Sequence, residues 1–429
     1  RKTTTRYWPS LAAIPEASDS TDELVSAYRQ TLCDTLADCC RSSAPVTFSV
    51  SGGLDSSALI CLAAELRASG RAPDLSTRAC TLNYAETQGN GEIDFARLAC
   101  REAGVQLDEF VPMGDSAEVL LRDCGEFMAI PGYLAQRKHL QLLRNARSMG
   151  SRVFITGEGG DQLIGGQSSH WFELLRRGRW SRFLLATGRA VASHGYRAFL
   201  PALSVASSAG LPQGMDNAIR EYVRRWRRVR RSYETSALLT PEACRLLAQR
   251  AEQHALLDAT EGADFRWWPS RDDFYLQGLM NFERLAAAHQ LEVRHPYMSA
   301  RMIELAAVTP KHLKEARGIE KIIHRLALAG TLPDPIRQRN DKSGCDLSVD
   351  DELELLLRDF TPAECLPLRR SGLERLRDRF RGRRIKCLES AGNDNWVLQS
   401  VWFLSALANS LPTFLSGQRM RAIAEKKMQ

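Results

Sequence analysis

Two short stretches carry side chains and backbone that could handle a phosphate. The first is Ser51-Gly52-Gly53-Leu54-Asp55-Ser56-Ser57, set between the β-branched run ending at Val50 and an amphipathic run with Leu59, Leu62, Ala63 and Leu66 at helical spacing. A loop that leaves a strand and opens a helix presents unpaired N–H groups and the positive end of the helix dipole. Gly52 and Gly53 let backbone approach an anion closely, and Ser51, Ser56 and Ser57 add hydroxyl donors. It is not a Walker loop, because Asp55 stands where that loop relies on a lysine. An aspartate among phosphates repels them unless a cation lies between, so Asp55 implies Mg²⁺. The second stretch, Gly157-Glu158-Gly159-Gly160-Asp161-Gln162-Leu163-Ile164-Gly165-Gly166, repeats that logic with Asp161. Either loop alone could be a glycine-rich turn before a capped helix. Together they describe two carboxylates able to share Mg²⁺ on one triphosphate.

The elements that must position these loops follow from periodicity. Strands are predicted at 46–50, 79–83, 105–111 and 152–156. A capping box at Ser20 and Glu23 starts a helix with Leu24, Tyr28, Leu32 and Leu36 on one face. Further helices are predicted from the Ser51 loop to 68, at 93–103 and at 134–149. This alternation predicts an α/β fold with a doubly wound parallel sheet, in which ligands lie at the carboxyl ends of strands. Beyond Gly166 the strand pattern stops. The predicted layout is a lead-in or linker at 1–19, an α/β core at 20–166, a helical insertion at 167–280, a helical completion of the site at 281–350 and a helical region at 351–429.

The charge of +7 is concentrated in Arg176–Arg182 and Arg224–Arg231, which could be solvated helix faces or a grip on an acidic peptide or partner protein. Eleven cysteines without a CxxC pair argue against a zinc site and for free thiols in a reducing cytoplasm. No signal peptide and no long apolar span is legible, so no membrane association is expected.

The heptad at Ser51 resembles the pyrophosphate loop of the N-type ATP pyrophosphatases. With the Gly157 loop, it resembles the synthetase domain of the asparagine synthetase family. "LEVRHPYMSARMIELA" (291–306) is similar to that family's EVRxPFLDxxLxEFA segment, "GIEKIIHRLA" to its gKxxLR helix, and "LPDPIRQRNDKSGCD" to its LPxxIxxRxKxGF stretch. The resemblance implies ATP-driven formation of an acyl-adenylate with pyrophosphate release, then attack by an amine. It implies that Ser51, Gly52, Gly53, Asp55, Ser56, Ser57 and Gly157 hold phosphates, that Asp55 and Asp161 bind Mg²⁺, and that Val50 and Leu82 flank the adenine. Lys321 and Lys342 would neutralise charge on the α-phosphate and pyrophosphate, and Glu158 would help deprotonate the amine. Glu292 and Arg294 either line the substrate side or form a structural ion pair.

Ser299, Gln162 and Glu283 depart from residues usual in that family, which turns the expected substrate away from aspartate. In layout the chain is similar to lasso-peptide macrolactam cyclases. These join a peptide N-terminal amine to an Asp or Glu side chain, and a leader peptidase or recognition protein could serve as partner. An asparagine synthetase or related amidotransferase is the alternative. It would use ammonia from a glutaminase domain absent from a chain that begins at Arg1. A tRNA-modifying ATP pyrophosphatase is a further alternative suggested by the Arg-rich run, although no catalytic cysteine pair supports a nucleic-acid substrate.

Overall fold

The computed structural model describes residues 20–72, 75–84, 92–111, 134–165, 273–316 and 319–339, with the isolated residues 181, 184, 245 and 249. Most of the segments 167–280 and 281–350 beyond 339, including Lys342, and all of 351–429 therefore lie outside the described residues.

Helix α1 (Thr21–Cys39) begins where the capping box places it, with the Ser20 hydroxyl accepting from the Glu23 N–H. Then come β1 (Val46–Ser49), α2 (Leu54–Ala68), β2 (Thr77–Leu82), α3 (Glu92–Glu102), β3 (Leu107–Phe110), α4 (Leu134–Ser148), β4 (Val153–Ile155) and the short α5 (Gly160–Ile164). After the long segment come α6 (Asp273–Ala288), β5 (Glu292–Arg294), a 3₁₀ turn (Pro296–Met298), α7 (Ala300–Val308) and α8 (Lys311–Lys314). The two-residue strands β6 (Glu315–Ala316) and β7 (Ile319–Glu320) form a small antiparallel pair, followed by α9 (Ile322–Ala327) and α10 (Asp334–Arg337).

The five long-range strands form one parallel sheet in the order β3-β2-β1-β4-β5. β1 and β4 are neighbours, yet the chain winds outward from β1 in one direction before returning to β4. That reversal is the topological switch point, where loops leave adjacent strand ends in opposite directions and open a crevice. The two glycine loops are the ones that leave β1 and β4.

Strand residues alternate between two cores, as the pleat requires. Val46, Phe48, Ala79, Val153 and Ile155 face the core built with α1, α2, α3, α7 and α9. Cys80 and Phe154 face a second core built with Leu140, Leu142 and Leu143 of α4 and Phe282, Leu285 and Ala286 of α6. Covering both faces explains why the central strands β1 and β4 are so heavily buried.

The strand pattern does not stop at Gly166 as predicted. β5 joins the sheet beside β4, with Val153 opposite Glu292 and Ile155 opposite Arg294. Its three residues include two charged ones at the sheet edge, so they give no apolar alternation. The boundary expected at 280 also falls inside α6, whose apolar face closes the second core.

Six cysteines among the described residues are free thiols. Burial pushes Cys39 up to about 11 and Cys40, Cys61 and Cys100 up to about 12, so they are protonated core residues rather than nucleophiles. Among the described residues no helix is long and apolar enough to cross a membrane.

Candidate active site

The two loops meet. A Cβ built on Gly157 would lie 3.0 Å from the Ser56 nitrogen, and one on Gly160 would lie 2.3 Å from the Asp55 carboxyl carbon. Glycine at both positions is what allows the β4 loop to rest against the start of α2. Gly52 has φ +83°, and a Cβ there would meet the Glu92 carbonyl oxygen at 2.2 Å, so the first loop is pressed equally closely against α3.

Lys321 joins the two expected carboxylates. Its Nζ donates to Asp55 Oδ2 at 2.5 Å and to Asp161 Oδ1 at 2.6 Å. Only 8% of the lysine side chain is exposed, against 12% for Asp55 and 48% for Asp161. Burial pushes the lysine pKa down, but Asp55 and Asp161 outweigh that and leave it raised. The backbone of Lys321 is left-handed, at φ 59° and ψ 41°, an uncommon conformation for a residue with a side chain. It sits between β7 and α9, its N–H held by the Lys314 carbonyl at 2.5 Å. Such backbone persists where the surroundings over-determine it, often at functional sites.

Beneath Asp55 lies a buried aromatic box. The Tyr297 hydroxyl donates to the Asp55 carbonyl at 3.0 Å. His324 Nδ1 is 2.8 Å from the Tyr28 hydroxyl, and its Nε2 is 3.8 Å from Asp55 Oδ1. Both tyrosine rings meet the imidazole edge-on with centroids 5.8 Å apart. Burial pushes His324 down to about 3, with neighbouring Lys321 adding to the effect, and pushes both tyrosines well up. The ring is therefore a neutral imidazole flanked by protonated phenols at neutral pH.

The first loop is satisfied internally. Ser56 Oγ accepts from the Ser51 N–H at 3.1 Å, the Ser51 and Ser56 hydroxyls lie 3.0 Å apart, and Ser51 Oγ accepts from the Gly53 N–H at 3.3 Å. Arg339 braces the loop from outside, donating to the Gly52 carbonyl at 3.2 Å and to Glu92 Oε1 at 3.3 Å, with its guanidinium 4.4 Å from the Phe95 ring centroid. In the second loop, Thr156 Oγ1 accepts from the Glu158 N–H at 3.3 Å and lies 2.6 Å from His295 Nδ1. Burial holds that imidazole down at about 4.

The expected residues do not all reach the rim. Asp55, Asp161, Ser51, Ser56, Gly52, Gly53 and Gly157 come together, and Lys321 lies among them. Glu158 is exposed within the second loop. Leu82 is half-buried at the end of β2, and Val50 is fully buried in the main core. Ser57 is also fully buried, with its hydroxyl unpartnered, because it falls on the inward face of α2.

Glu292 and Arg294 take the ion-pair alternative. Two guanidinium nitrogens contact the two carboxylate oxygens at 2.8 Å, while Arg294 also donates to the Cys39 and Arg41 carbonyls at 2.8 Å. α1 has no basic residue in its last turn, so Arg294 supplies the missing cation there. Replacing Arg294 with alanine is expected to cost about 1–2 kcal/mol of stability in urea melts while leaving nucleotide binding unchanged. A loss of binding without a loss of stability would return this pair to the substrate side.

Ser299 also proves structural. Its hydroxyl accepts from the Met302 N–H at 3.3 Å and caps α7. Serine and aspartate cap equally well, so this departure from the family pattern says little about substrate.

The motifs do not point to Tyr28, Tyr297, His324, His295 or Arg339. The available signal is that Tyr297 and His324 occupy positions where the quoted patterns have Phe and Leu, placing polar groups at apolar positions.

The site fits Mg²⁺. Among the described residues no group of three or more His, Cys, Asp or Glu side chains could cage a metal. Mg²⁺ needs no such cage, since one or two carboxylates suffice when phosphate oxygens and water complete its shell. Asp55 and Asp161 already converge on one cation, the Lys321 ammonium.

The family model described as asparagine synthase matches residues 27–408. A curated relative, asparagine synthetase [glutamine-hydrolyzing] 1 of Bacillus subtilis (strain 168), is 23% identical over 343 residues, covering 74% of this chain and 49% of its own length. The chain thus spans about half the length of that relative. The match embraces both glycine loops, the sheet that presents them and the helix that brings Lys321 between their carboxylates: the chain belongs to the asparagine synthase family.

Proposed function

We propose that the chain is an ATP-dependent ligase that activates a carboxylate as an acyl-adenylate and passes the acyl group to an amine. The observation that carries this reading is the convergence of Asp55, Asp161 and Lys321 at the switch point. A substrate carboxylate oxygen attacks the α-phosphorus of ATP, the bond to the bridging oxygen breaks, and pyrophosphate leaves. The amine nitrogen then attacks the acyl carbon, AMP departs with the C–O electron pair, and the nitrogen loses a proton.

Ser51, Ser56 and the N–H groups that open α2 would bind the β- and γ-phosphates. Asp55 and Asp161 would hold Mg²⁺, which supplies neutralisation of triphosphate charge. Lys321, given up by the carboxylates, has phosphate as its nearest alternative partner and stabilises charge developing on the leaving group. Lys342 is proposed to share that task. Glu158 is proposed to receive the amine proton, since it is an exposed carboxylate of the second loop.

We further propose that the acyl donor is an Asp or Glu side chain of a peptide and the amine its N-terminus, giving a macrolactam. The long segment 167–280 and its arginine clusters support this reading as a peptide grip. The Bacillus subtilis relative favours a second reading, amide formation on aspartate with nitrogen from a glutaminase domain.

Carboxylate-dependent exchange of labelled pyrophosphate into ATP tests the first step. Exchange stimulated by Asp- or Glu-containing peptides but not by free aspartate supports the macrolactam reading. Stimulation by aspartate alone replaces it with the second, and no stimulation by any carboxylate rejects adenylation. Glu158→Gln is expected to retain exchange while lowering amide formation 10²–10⁴-fold, the usual worth of a general base. Equal loss in both assays would remove Glu158 from that role.

A further inference from the structure

The box under Asp55 has a direction built into it. Tyr28 comes from α1, Tyr297 from the 3₁₀ turn and His324 from α9, and the three meet beside the first residues of α2. Tyr297 holds the Asp55 main chain through its carbonyl, and His324 faces the Asp55 carboxylate from the side opposite the ammonium: Oδ2 takes Lys321 and Oδ1 faces Nε2.

The imidazole proton can be assigned from these neighbours. A lone pair on Nε2 would point at a carboxylate oxygen 3.8 Å away and repel it, whereas an N–H there is attracted. A protonated Tyr28 hydroxyl can donate to a bare Nδ1 at 2.8 Å, which selects the same tautomer. Tyr28 thus orients the ring, and Nε2 faces Asp55 Oδ1 across 3.8 Å, beyond hydrogen-bond distance, so the imidazole acts on the carboxylate as a fixed neighbouring dipole.

We propose that His324 is a positioning residue for Asp55: with its proton fixed on Nε2 by Tyr28, it backs the carboxylate and keeps it aimed when Lys321 gives way to Mg²⁺. The proposal rests on the reading of this site as one for ATP and Mg²⁺. It explains why polar groups occupy two positions where the quoted family patterns are apolar, and why both converge on one aspartate. Without the imidazole, an Asp55 side chain released by Lys321 would lose the dipole that faces its Oδ1.

The test uses the full chain, Mn²⁺ as the metal and α,β-methylene ATP as the nucleotide. Bound Mn²⁺ is read by electron paramagnetic resonance and nucleotide by calorimetry. The variant is Tyr28→Phe with His324→Leu, which removes both polar partners together and leaves no orphaned hydroxyl in the core. Expected is a 10–100-fold loss of Mn²⁺ affinity in the nucleotide complex, the usual effect of removing an outer partner. Nucleotide affinity in EDTA is expected to stay unchanged, which a merely structural role would not predict. In wild-type chain carrying ¹⁵N-labelled imidazoles, His324 is expected to show its proton on Nε2.

Unchanged Mn²⁺ affinity in the double variant overturns the proposal, as does a proton found on Nδ1. That second measurement decides the matter if the variant does not fold. Failure of the wild-type chain to bind the metal–nucleotide pair would instead strike the ATP reading itself, and the proposal with it.

Discussion

Lys321→Met is expected to unfold at lower urea and to regain part of that loss when Mg²⁺ is added. The methionine keeps length and packing but removes the ammonium between Asp55 and Asp161. Breaking one partner out of a buried pair typically costs about 3–5 kcal/mol, because a charge is left without compensation. Asp161 is about half exposed and water screens it, so the figure expected here is about 2–3 kcal/mol. A divalent ion bound by the two carboxylates replaces the missing charge, so Mg²⁺ should raise the melting temperature of the variant more than that of the wild type. Pyrophosphate exchange should nonetheless fall about 10²–10³-fold, the usual worth of a preorganised donor at developing charge.

The pH dependence has a definite sign. Burial lowers the Lys321 pKa and the two carboxylates raise it further than burial lowers it, so the folded value lies above the unfolded one. A lysine of this kind contributes its full stability below its unfolded pKa and loses it as pH rises through the folded value. The stability gap between wild type and Lys321→Met should stay flat through neutral pH and shrink in the alkaline range above pH ~10. Equal urea midpoints at pH 7 would mean that the lysine does not bridge the loops in solution.

The parts of this site legible in the sequence are those encoded locally. β1 through β4 are short runs between helices with clear periodicity, so their alternation with helices and the two rim loops follow from spacing, whereas the strand order does not. β5 is invisible to that logic because Glu292 and Arg294 pair with each other at the sheet edge, and its place is set by register with β4. Asp55 and Asp161 are announced by their glycines. The position of Lys321 is not, since it depends on α9 docking beside α1 and on a left-handed residue that no propensity favours. The burial of the Val50 and Ser57 side chains is hidden for a related reason. Strand pleat and helix phase turn both side chains inward, and proximity in sequence to a loop does not fix direction. The box of Tyr28, Tyr297 and His324 joins three distant segments and carries only a faint local signal.

The glycines of the two loops give the second large effect, and they separate steric demand from mere flexibility. Gly160→Ala would put a methyl group 2.3 Å from the Asp55 carboxyl carbon, inside any real contact distance. Its backbone is not in the left-handed region, so the penalty falls on the aspartate rather than on the turn. Expected is a folded chain whose unfolding free energy drops by about 1–3 kcal/mol, as is usual for overpacking, and whose Mn²⁺ binding is lost because Asp55 has been pushed aside. Gly52→Ala differs in kind. It meets a main-chain oxygen of α3 at 2.2 Å and also strains a φ of +83°, so the first loop and α3 must part and the chain should be the least stable of the three. Gly53→Ala is the control: φ is −69°, and the nearest atom to the new methyl is the Ser51 hydroxyl at 3.3 Å. That hydroxyl can rotate away, so stability should hold while phosphate affinity weakens as the cradle narrows. If all three alanines behave alike, these glycines serve only to loosen the chain, and the close approach of the two loops has no part in holding Asp55 where a metal can use it.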